Sequence, residues 1–236
     1  MKKNIKLVLA FSILIVFVGL VTLVLKLGER TKLASNEPVN TLSDAQEQSY
    51  VAKTVPALTE NDKVFGSIKA PLMIFVYEDY TSPYSAVLAD TLDRINAETA
   101  GKSAVVVRPY VVKNSSLALQ AALAVDCAAE QDKWKEMRAL LFNKAKNQQL
   151  INDSFLSYAK QINLDEEKFQ TCLTNLVKSG KIEQLALEAQ GYGVQGTPTM
   201  FIGEEMILGA RPYDDFEDSN GDKIEGLKAL ISKKLQ

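Results

Sequence analysis

Apolar and polar positions divide the chain into three parts, and the first has the pattern of a membrane segment. An uncharged run extends from Leu7 to Leu25 and is closed by Lys26. Its 19 residues, at about 1.5 Å each, span roughly 28 Å, which is enough to cross the apolar core of a bilayer. We therefore predict an uncleaved transmembrane signal-anchor in residues 1–27, with residues 7–25 in the cell membrane and the following chain outside the cytoplasm. A cleaved signal peptide is the alternative, although its apolar region is usually shorter, about 7–15 residues.

The second part, residues 28–62, is rich in Ser, Thr, Asn, Gln and Glu and has few aromatic residues. Such a composition buries little apolar surface and is typical of a tether. We predict a juxtamembrane linker over residues 28–62, followed by one compact domain over residues 63–236.

The third part opens with the pattern of a strand, a helix and a second strand. Residues 72–77 are continuously apolar or aromatic, which predicts a central strand. Residues 82–98 carry apolar side chains at helical spacing, and residues 104–112 are rich in valine. This order predicts a βαβ unit with its two strands parallel.

Helical periodicity dominates residues 114–190, and β character returns after it. Residues 199–202 and 206–209, separated by a turn, predict an antiparallel hairpin, and residues 223–235 predict a last amphipathic helix. The predicted fold class is α/β, with a βαβ half, a ββα half and a helical insertion at about 114–190 between them.

The composition excludes several kinds of catalytic and binding site. The net charge of −2 gives no indication of a nucleic-acid partner. The chain has no histidine, so a Ser-His-Asp triad, a histidine base and a histidine-ligated metal site are all excluded. We predict no metal site.

The candidate site is Ser82-Pro83-Tyr84-Ser85, called the serine motif below, at the junction of the first predicted strand and helix. Thioredoxin-type folds carry a Cys-x-x-Cys pair at such a junction. Ser82 is a preferred helix N-cap and proline is preferred next, so the motif can start a helix without any chemistry. Ser85 is expected to be a solvated or back-bonded polar residue of the first turn. Glu78 and Asp79 are expected to be solvated or to cap a turn.

Four segments resemble the DsbA-like family of thioredoxin-fold, thiol–disulfide exchange proteins. They are residues 64–71 before the first central strand, residues 77–81 before the serine motif, the loop at 194–199 and the closing segment at 209–216. The resemblance covers about residues 62–236 and implies a thioredoxin-like fold in an exported or membrane-tethered protein. It also implies a cis peptide bond opposite Ser82 and a substrate-binding surface. The residues of that surface would be Pro83, Tyr84, Thr197 and Pro198.

Serine at both cysteine positions changes the function that the resemblance implies. Ser82 and Ser85 cannot exchange disulfides, so we predict a redox-inactive, chaperone-like module that binds extended peptides or exported protein segments. Ser-Pro-Tyr-Ser also resembles the kappa-class glutathione transferases and the hydroxychromene-carboxylate isomerases. In that alternative, Ser82 donates a hydrogen bond to the thiolate of glutathione, the one cofactor that the sequence suggests.

Cys127 and Cys172 are the only cysteines and lie 45 positions apart in the predicted helical insertion. This spacing is not that of a Cys-x-x-Cys redox pair. In an oxidising compartment a structural disulfide is the natural interpretation, and some exported DsbA-like proteins carry an additional bridge in their helical region. Two buried free thiols are the alternative.

Overall fold

The computed structural model describes residues 49–112, 114–151 and 155–236. The strands are β1 (Ser49–Val51), β2 (Lys63–Phe65), β3 (Leu72–Glu78), β4 (Ser103–Pro109), β5 (Thr199–Ile202), β6 (Glu205–Leu208), β7 (Phe216–Glu217) and β8 (Lys223–Ile224). The helices are α1 (Pro83–Glu98), α2 (Ser116–Ala129), α3 (Trp134–Lys146), α4 (Phe155–Gln161), α5 (Glu166–Leu173), α6 (Leu176–Gly191) and α7 (Leu227–Lys234). The predicted membrane segment at 7–25 lies outside the described residues, and no helix within them has the length and apolar character to cross a membrane.

Within the described residues, β1 to β6 form one sheet in the order β1-β6-β5-β3-β4-β2. β3 and β4 are parallel and are joined by α1, which is the predicted βαβ unit. β5 and β6 form the predicted antiparallel hairpin, and β5 also pairs with β3, so that Thr199 lies opposite Tyr77. The predicted α/β fold class is therefore confirmed.

The central strands are buried on both faces, because α1 and α7 cover one face and α6 covers part of the other. Successive side chains of a strand point to opposite faces. Ile74 and Val76 of β3 therefore lie in one apolar cluster with α1 and α7, while Phe75 and Tyr77 lie in another with Ala189 of α6. This two-sided burial explains why β3 is continuously apolar and does not alternate.

The helices α2 to α5 and part of α6 form a third apolar cluster, where the sequence predicts a helical insertion. Cys127 of α2 and Cys172 of α5 form a disulfide inside this cluster, with their Cα atoms 5.7 Å apart. The disulfide predicted for an oxidising compartment is therefore confirmed, and it joins two helices of the insertion.

The linker was predicted over residues 28–62, but the last part of this range belongs to the folded domain. Ser49–Val51 forms β1, which pairs with β6 at one edge of the sheet, and residues 52–62 then run to β2 at the opposite edge. Arg108 holds the end of this crossing, because its guanidinium donates to the Ala57 carbonyl at 2.6 Å and makes two hydrogen bonds of 2.7 Å with Asp62. A strand of three residues is too short to show a period of two, so the pattern did not predict it.

The last predicted helix, residues 223–235, begins too early. Residues 223–224 are β8, which pairs with β7, and α7 starts at Leu227. Gly226 precedes this helix at a close approach of two backbone segments. A Cβ at this position would lie 2.3 Å from the backbone carbonyl carbon of Asp214, so only glycine fits there.

Candidate functional site

Ser82 is the N-cap of α1 and Pro83 is its first residue, as the sequence predicts. The backbone of Ser82 is extended, with φ −87° and ψ 124°. Its hydroxyl oxygen accepts a hydrogen bond from the backbone N–H of Ser85 at 3.3 Å. This bond satisfies one of the four N–H groups that a helix leaves unpaired at its start. Ser82 therefore has a structural role that is complete without any ligand.

Ser85 is buried, which corrects the prediction that it is solvated or bonded back to its own helix. Its hydroxyl accepts a hydrogen bond from the backbone N–H of Asp79 at 3.3 Å, which ties the first turn of α1 to the loop before it. The physical reason is that Ser85 lies on the buried side of α1 with Leu88 and Leu92. In the described residues no side-chain base is hydrogen-bonded to either serine, and a serine hydroxyl without a base is a weak nucleophile.

The Thr197-Pro198 peptide bond is cis. The register that sets Thr199 opposite Tyr77 brings this bond beside the segment that leads from β3 into α1. The carbonyl of Pro198 accepts a hydrogen bond from the N–H of Gly209 at 2.9 Å. The N–H and C=O of Thr197, in contrast, have no partner among the residues that the structure describes, and Thr197 is only half-buried. Such a free backbone segment can pair with the backbone of an extended ligand.

Apolar side chains are exposed near the serine motif, at the end of the sheet where β3 and β4 have their carboxyl ends. Because β3 and β4 are parallel, the residues that follow each strand emerge at the same end of the sheet, where both strands have their carboxyl ends. Tyr84 is 40% exposed, Val87 37% and Val112 52%. Of the four predicted binding residues, Pro83, Tyr84 and Thr197 reach the surface, whereas Pro198 is buried.

The two acidic residues before the motif have different environments. Glu78 is enclosed, which corrects the prediction of a solvated or turn-capping residue, and its carboxylate accepts hydrogen bonds from the guanidinium of Arg138 at 2.5 and 2.9 Å. Burial raises the pKa of Glu78, although the charge of Arg138 acts in the opposite direction. Asp79 caps a turn, as predicted, because its carboxylate accepts the N–H of Thr81 at 2.8 Å. The buried pair therefore joins the strand before the motif to the helical insertion.

The sequence pattern did not identify Arg138, although its position carries a signal. Arg138 lies four residues after Trp134 and four residues before Phe142, on a stripe of α3 that is otherwise apolar. Charged residues are almost never fully buried without a partner. A charged residue on such a stripe therefore indicates a buried group of opposite charge, which here is Glu78.

Comparison with known proteins agrees with this geometry. The sequence profile of the thioredoxin family matches residues 58–219, which is more than half of the chain. A periplasmic thioredoxin-like protein from Salmonella enterica serovar Typhimurium superposes with a TM-score of 0.57 and 25% identity, over 74% of this chain and 90% of that one. ScsC from Proteus mirabilis gives a TM-score of 0.59 and 26% identity, over 74% of this chain and 73% of that one. The thiol-disulfide exchange protein alpha-DsbA2 from Wolbachia pipientis, at a TM-score of 0.58 and 18% identity over 75% of this chain and 86% of that one, shows the fold alone.

Curated relatives match this chain over a segment that has the length of one domain. The Na(+)/H(+) antiporter NhaA 3 from Salinispora tropica is 30% identical over 177 residues, which are 75% of this chain and 25% of that protein. The chain thus spans about a quarter of the length of this relative, and the similarity concerns one part of a longer protein. The family profile and the solved structures agree with the observed fold. The chain therefore belongs to the thioredoxin family, within the superfamily of thiol–disulfide oxidoreductases.

Proposed function

We propose that this protein is a DsbA-like module that binds extended peptides or segments of exported proteins without redox chemistry. Residues 7–25 anchor it in the cell membrane, and its folded domain lies outside the cytoplasm. The structural neighbour described as periplasmic supports this location. The ligand would lie across the exposed side chain of Tyr84 and pair with the backbone of Thr197, which has no partner within the described part of the chain.

The observation that carries this proposal is the use of both serines of the motif as hydrogen-bond acceptors for the backbone. A helix N-terminus favours an anion, and a cysteine placed there becomes a thiolate. A serine hydroxyl does not ionise at neutral pH without a base. Backbone pairing at Thr197 requires neither a thiol nor a base, so ligand binding is compatible with the loss of disulfide exchange.

The redox half of the proposal is tested with the full-length chain purified in a mild detergent. We expect no catalysis of insulin reduction by the unaltered chain. The double variant Ser82→Cys/Ser85→Cys should gain activity, because its first thiol lies at the start of α1, where the helix stabilises a thiolate. Insulin reduction by the unaltered chain above the uncatalysed rate would show that the redox half is wrong.

The binding half is tested with carboxymethylated lactalbumin, an unfolded chain whose cysteines are blocked. Fluorescence anisotropy should detect binding that weakens by about 5-fold or more in Tyr84→Ser, since an exposed aromatic residue at the centre of a site is typically a major contributor. Leu187→Ser is the matched control, because Leu187 is a 66% exposed apolar residue of α6 outside the motif. Equal weakening in both variants would indicate nonspecific apolar contact and contradict the assignment of the site.

A glutathione-dependent activity is the competing proposal. The Ser82 oxygen accepts the N–H of Ser85, and its own O–H can still donate to a thiolate. Calorimetric titration with millimolar glutathione decides between the two. Saturable binding that is lost in Ser82→Ala would replace the peptide-binding proposal, whereas the absence of a signal would remove this alternative.

A further inference from the structure

The segment that opens the folded domain exposes four large apolar side chains within nine residues. Tyr50 is 44% exposed, Val51 83%, Val55 43% and Leu58 41%. Single exposed apolar residues are normal on a soluble protein, whereas several together mark an interaction surface. Residues 50–58, called the entry segment below, are therefore a candidate docking surface apart from the serine motif.

Hydrogen bonds hold the backbone of the entry segment against the sheet. β1 pairs with β6, and the N–H of Ala52 donates to the carbonyl of Glu204 at 2.8 Å. The carbonyl of Ala57 accepts from the guanidinium of Arg108 at 2.6 Å, and Pro56 between these contacts is buried. Because the backbone is fixed at both ends, the apolar side chains are presented to the outside at defined positions.

The entry segment is also where the tether to the proposed membrane anchor joins the domain. The anchor ends at Leu25, and the 23 residues from 26 to 48 connect it to β1. A chain of this length spans at most about 80 Å, so the domain stays close to one bilayer. The surface around the point of attachment meets that bilayer more often than the rest of the domain does, because the tether holds it nearest.

The exposed side chains of the entry segment suit the boundary between lipid headgroups and acyl chains. Val51, Val55 and Leu58 gain free energy when they leave water. Tyr50 has an apolar ring and a polar hydroxyl, and tyrosine is enriched at the interfaces of membranes for this reason. The segment therefore carries both kinds of side chain that a bilayer surface accepts.

The charged side chains beside the entry segment have mixed signs. Lys53 lies within the segment, Glu60 follows it, and Glu204 precedes β6, and all three are exposed. Glu205 of β6 pairs with Lys234 at 3.7 Å. Mixed charges give no net attraction to anionic lipids, so apolar contact supplies the binding. Exposed charges stay hydrated at the level of the headgroups.

We propose that the entry segment docks on the surface of the bilayer in which the chain is anchored, with its four exposed apolar side chains among the lipids. This inference rests on the proposed membrane anchor and adds a defined orientation of the folded domain on the membrane. It is independent of peptide binding, because the entry segment shares no residue with the surface formed by Tyr84 and Thr197.

The test places a fluorescent dye on the entry segment of the full-length chain. Both natural cysteines are joined in the disulfide, so Val55→Cys supplies one reactive thiol for a nitrobenzoxadiazole dye. The labelled chain is reconstituted in phosphatidylcholine vesicles with and without lipids that carry a nitroxide on the acyl chain. We expect the nitroxide lipids to quench the dye at position 55. Adding Val51→Ser should lower the ratio of docked to undocked domain by about 10-fold, which is the effect of burying one valine.

Val177→Cys is the matched control for this experiment. Val177 is 69% exposed and follows Leu176, which is 85% exposed, at the start of α6, so exposure alone predicts at least as much lipid contact there. The dye at position 177 should remain unquenched. Equal quenching at both positions, or quenching at position 55 that Val51→Ser leaves unchanged, would overturn the docking.

Flotation of the vesicles in a density gradient tests the anchor separately. A chain that floats while its dye at position 55 stays unquenched would overturn the docking and leave the anchor in place. Emission at position 55 that is shifted to the blue without quenching would indicate a protein contact in place of lipid, and would also overturn it. A chain that does not float would refute the anchor and the docking together.

Discussion

Replacement of Arg138 by methionine should destabilise the domain strongly, because it leaves a buried carboxylate without a partner. The side chains of Arg138 and Glu78 are 3% and 0% exposed. Methionine keeps much of the length of arginine but cannot pair with Glu78, and breaking a buried ion pair in this way costs about 3–5 kcal/mol. The guanidinium also lies 4.9 Å from the ring centroids of Phe65 and Phe142, and the loss of these contacts adds to the effect.

Urea denaturation followed by circular dichroism measures this loss as a change in the free energy of unfolding. The corresponding fall in melting temperature is about 6–20 °C for a domain of this size. The double variant Glu78→Gln/Arg138→Met should recover part of the loss, because glutamine carries no charge that needs a partner. The comparison of single and double variants therefore isolates the effect of the unpaired charge from the effect of lost packing.

The control for this prediction is Lys133→Met, which removes an ion pair on the surface of the same helix. The side chains of Lys133 and Glu136 are 41% and 46% exposed, and such pairs contribute less than about 1 kcal/mol. The reasoning is refuted if Arg138→Met costs no more than this control. It is also refuted if the double variant is as unstable as Arg138→Met alone.

Three further predictions concern the disulfide, the segment of residues 52–62 that runs from β1 to β2, and a glycine within a helix. Reduction of the Cys127–Cys172 disulfide, which closes a loop of 45 residues, should lower the free energy of unfolding by about 4 kcal/mol, and an unchanged urea midpoint in reductant would contradict this. Burial raises the pKa of Asp62, but the hydrogen bonds from Arg108 and from the backbone N–H of Thr59, together with the charge of Arg108, outweigh burial and hold the pKa below its ordinary value. Its contribution to stability should therefore be complete above about pH 4 and be lost as the pH falls through the folded-state pKa, so Asp62→Asn should flatten the stability profile in acid. Gly180→Ala in α6 should stabilise the domain by about 0.8–1 kcal/mol, because a Cβ there meets nothing within 4 Å and alanine is the better helix former; a lower melting temperature would count against it.

The elements around the site were predictable because their burial follows the period of the backbone. The apolar run of β3 and the helical spacing of α1 are local patterns, and each indicates an element whatever lies elsewhere in the chain. The N-cap role of Ser82 is local in the same sense, since its partner is the N–H of Ser85 three positions away. The resemblance to the DsbA-like family implied the cis bond before Pro198, which no local pattern indicates. The disulfide was expected from an oxidising compartment, and the resemblance supported it.

The environments of individual polar side chains were not predictable, because their partners come from distant parts of the chain. Glu78 was expected at the surface, but α3 brings Arg138 to it from 60 positions away. Tyr80 follows two positions later and is buried among helices of the insertion, where its hydroxyl finds no partner in the described residues. Neither outcome depends on the residues next to these side chains.

By itself, therefore, the sequence determined the type and order of the elements, the position of the serine motif at the start of α1, and the absence of a thiol or histidine from it. Only the tertiary structure decided that Ser85 is buried, that β1 extends the sheet at its edge, and that the backbone of Thr197, beside the motif, has no partner among the residues that the structure describes. The physical reason is that periodicity records which side of an element is buried, whereas packing between distant elements decides which groups meet there.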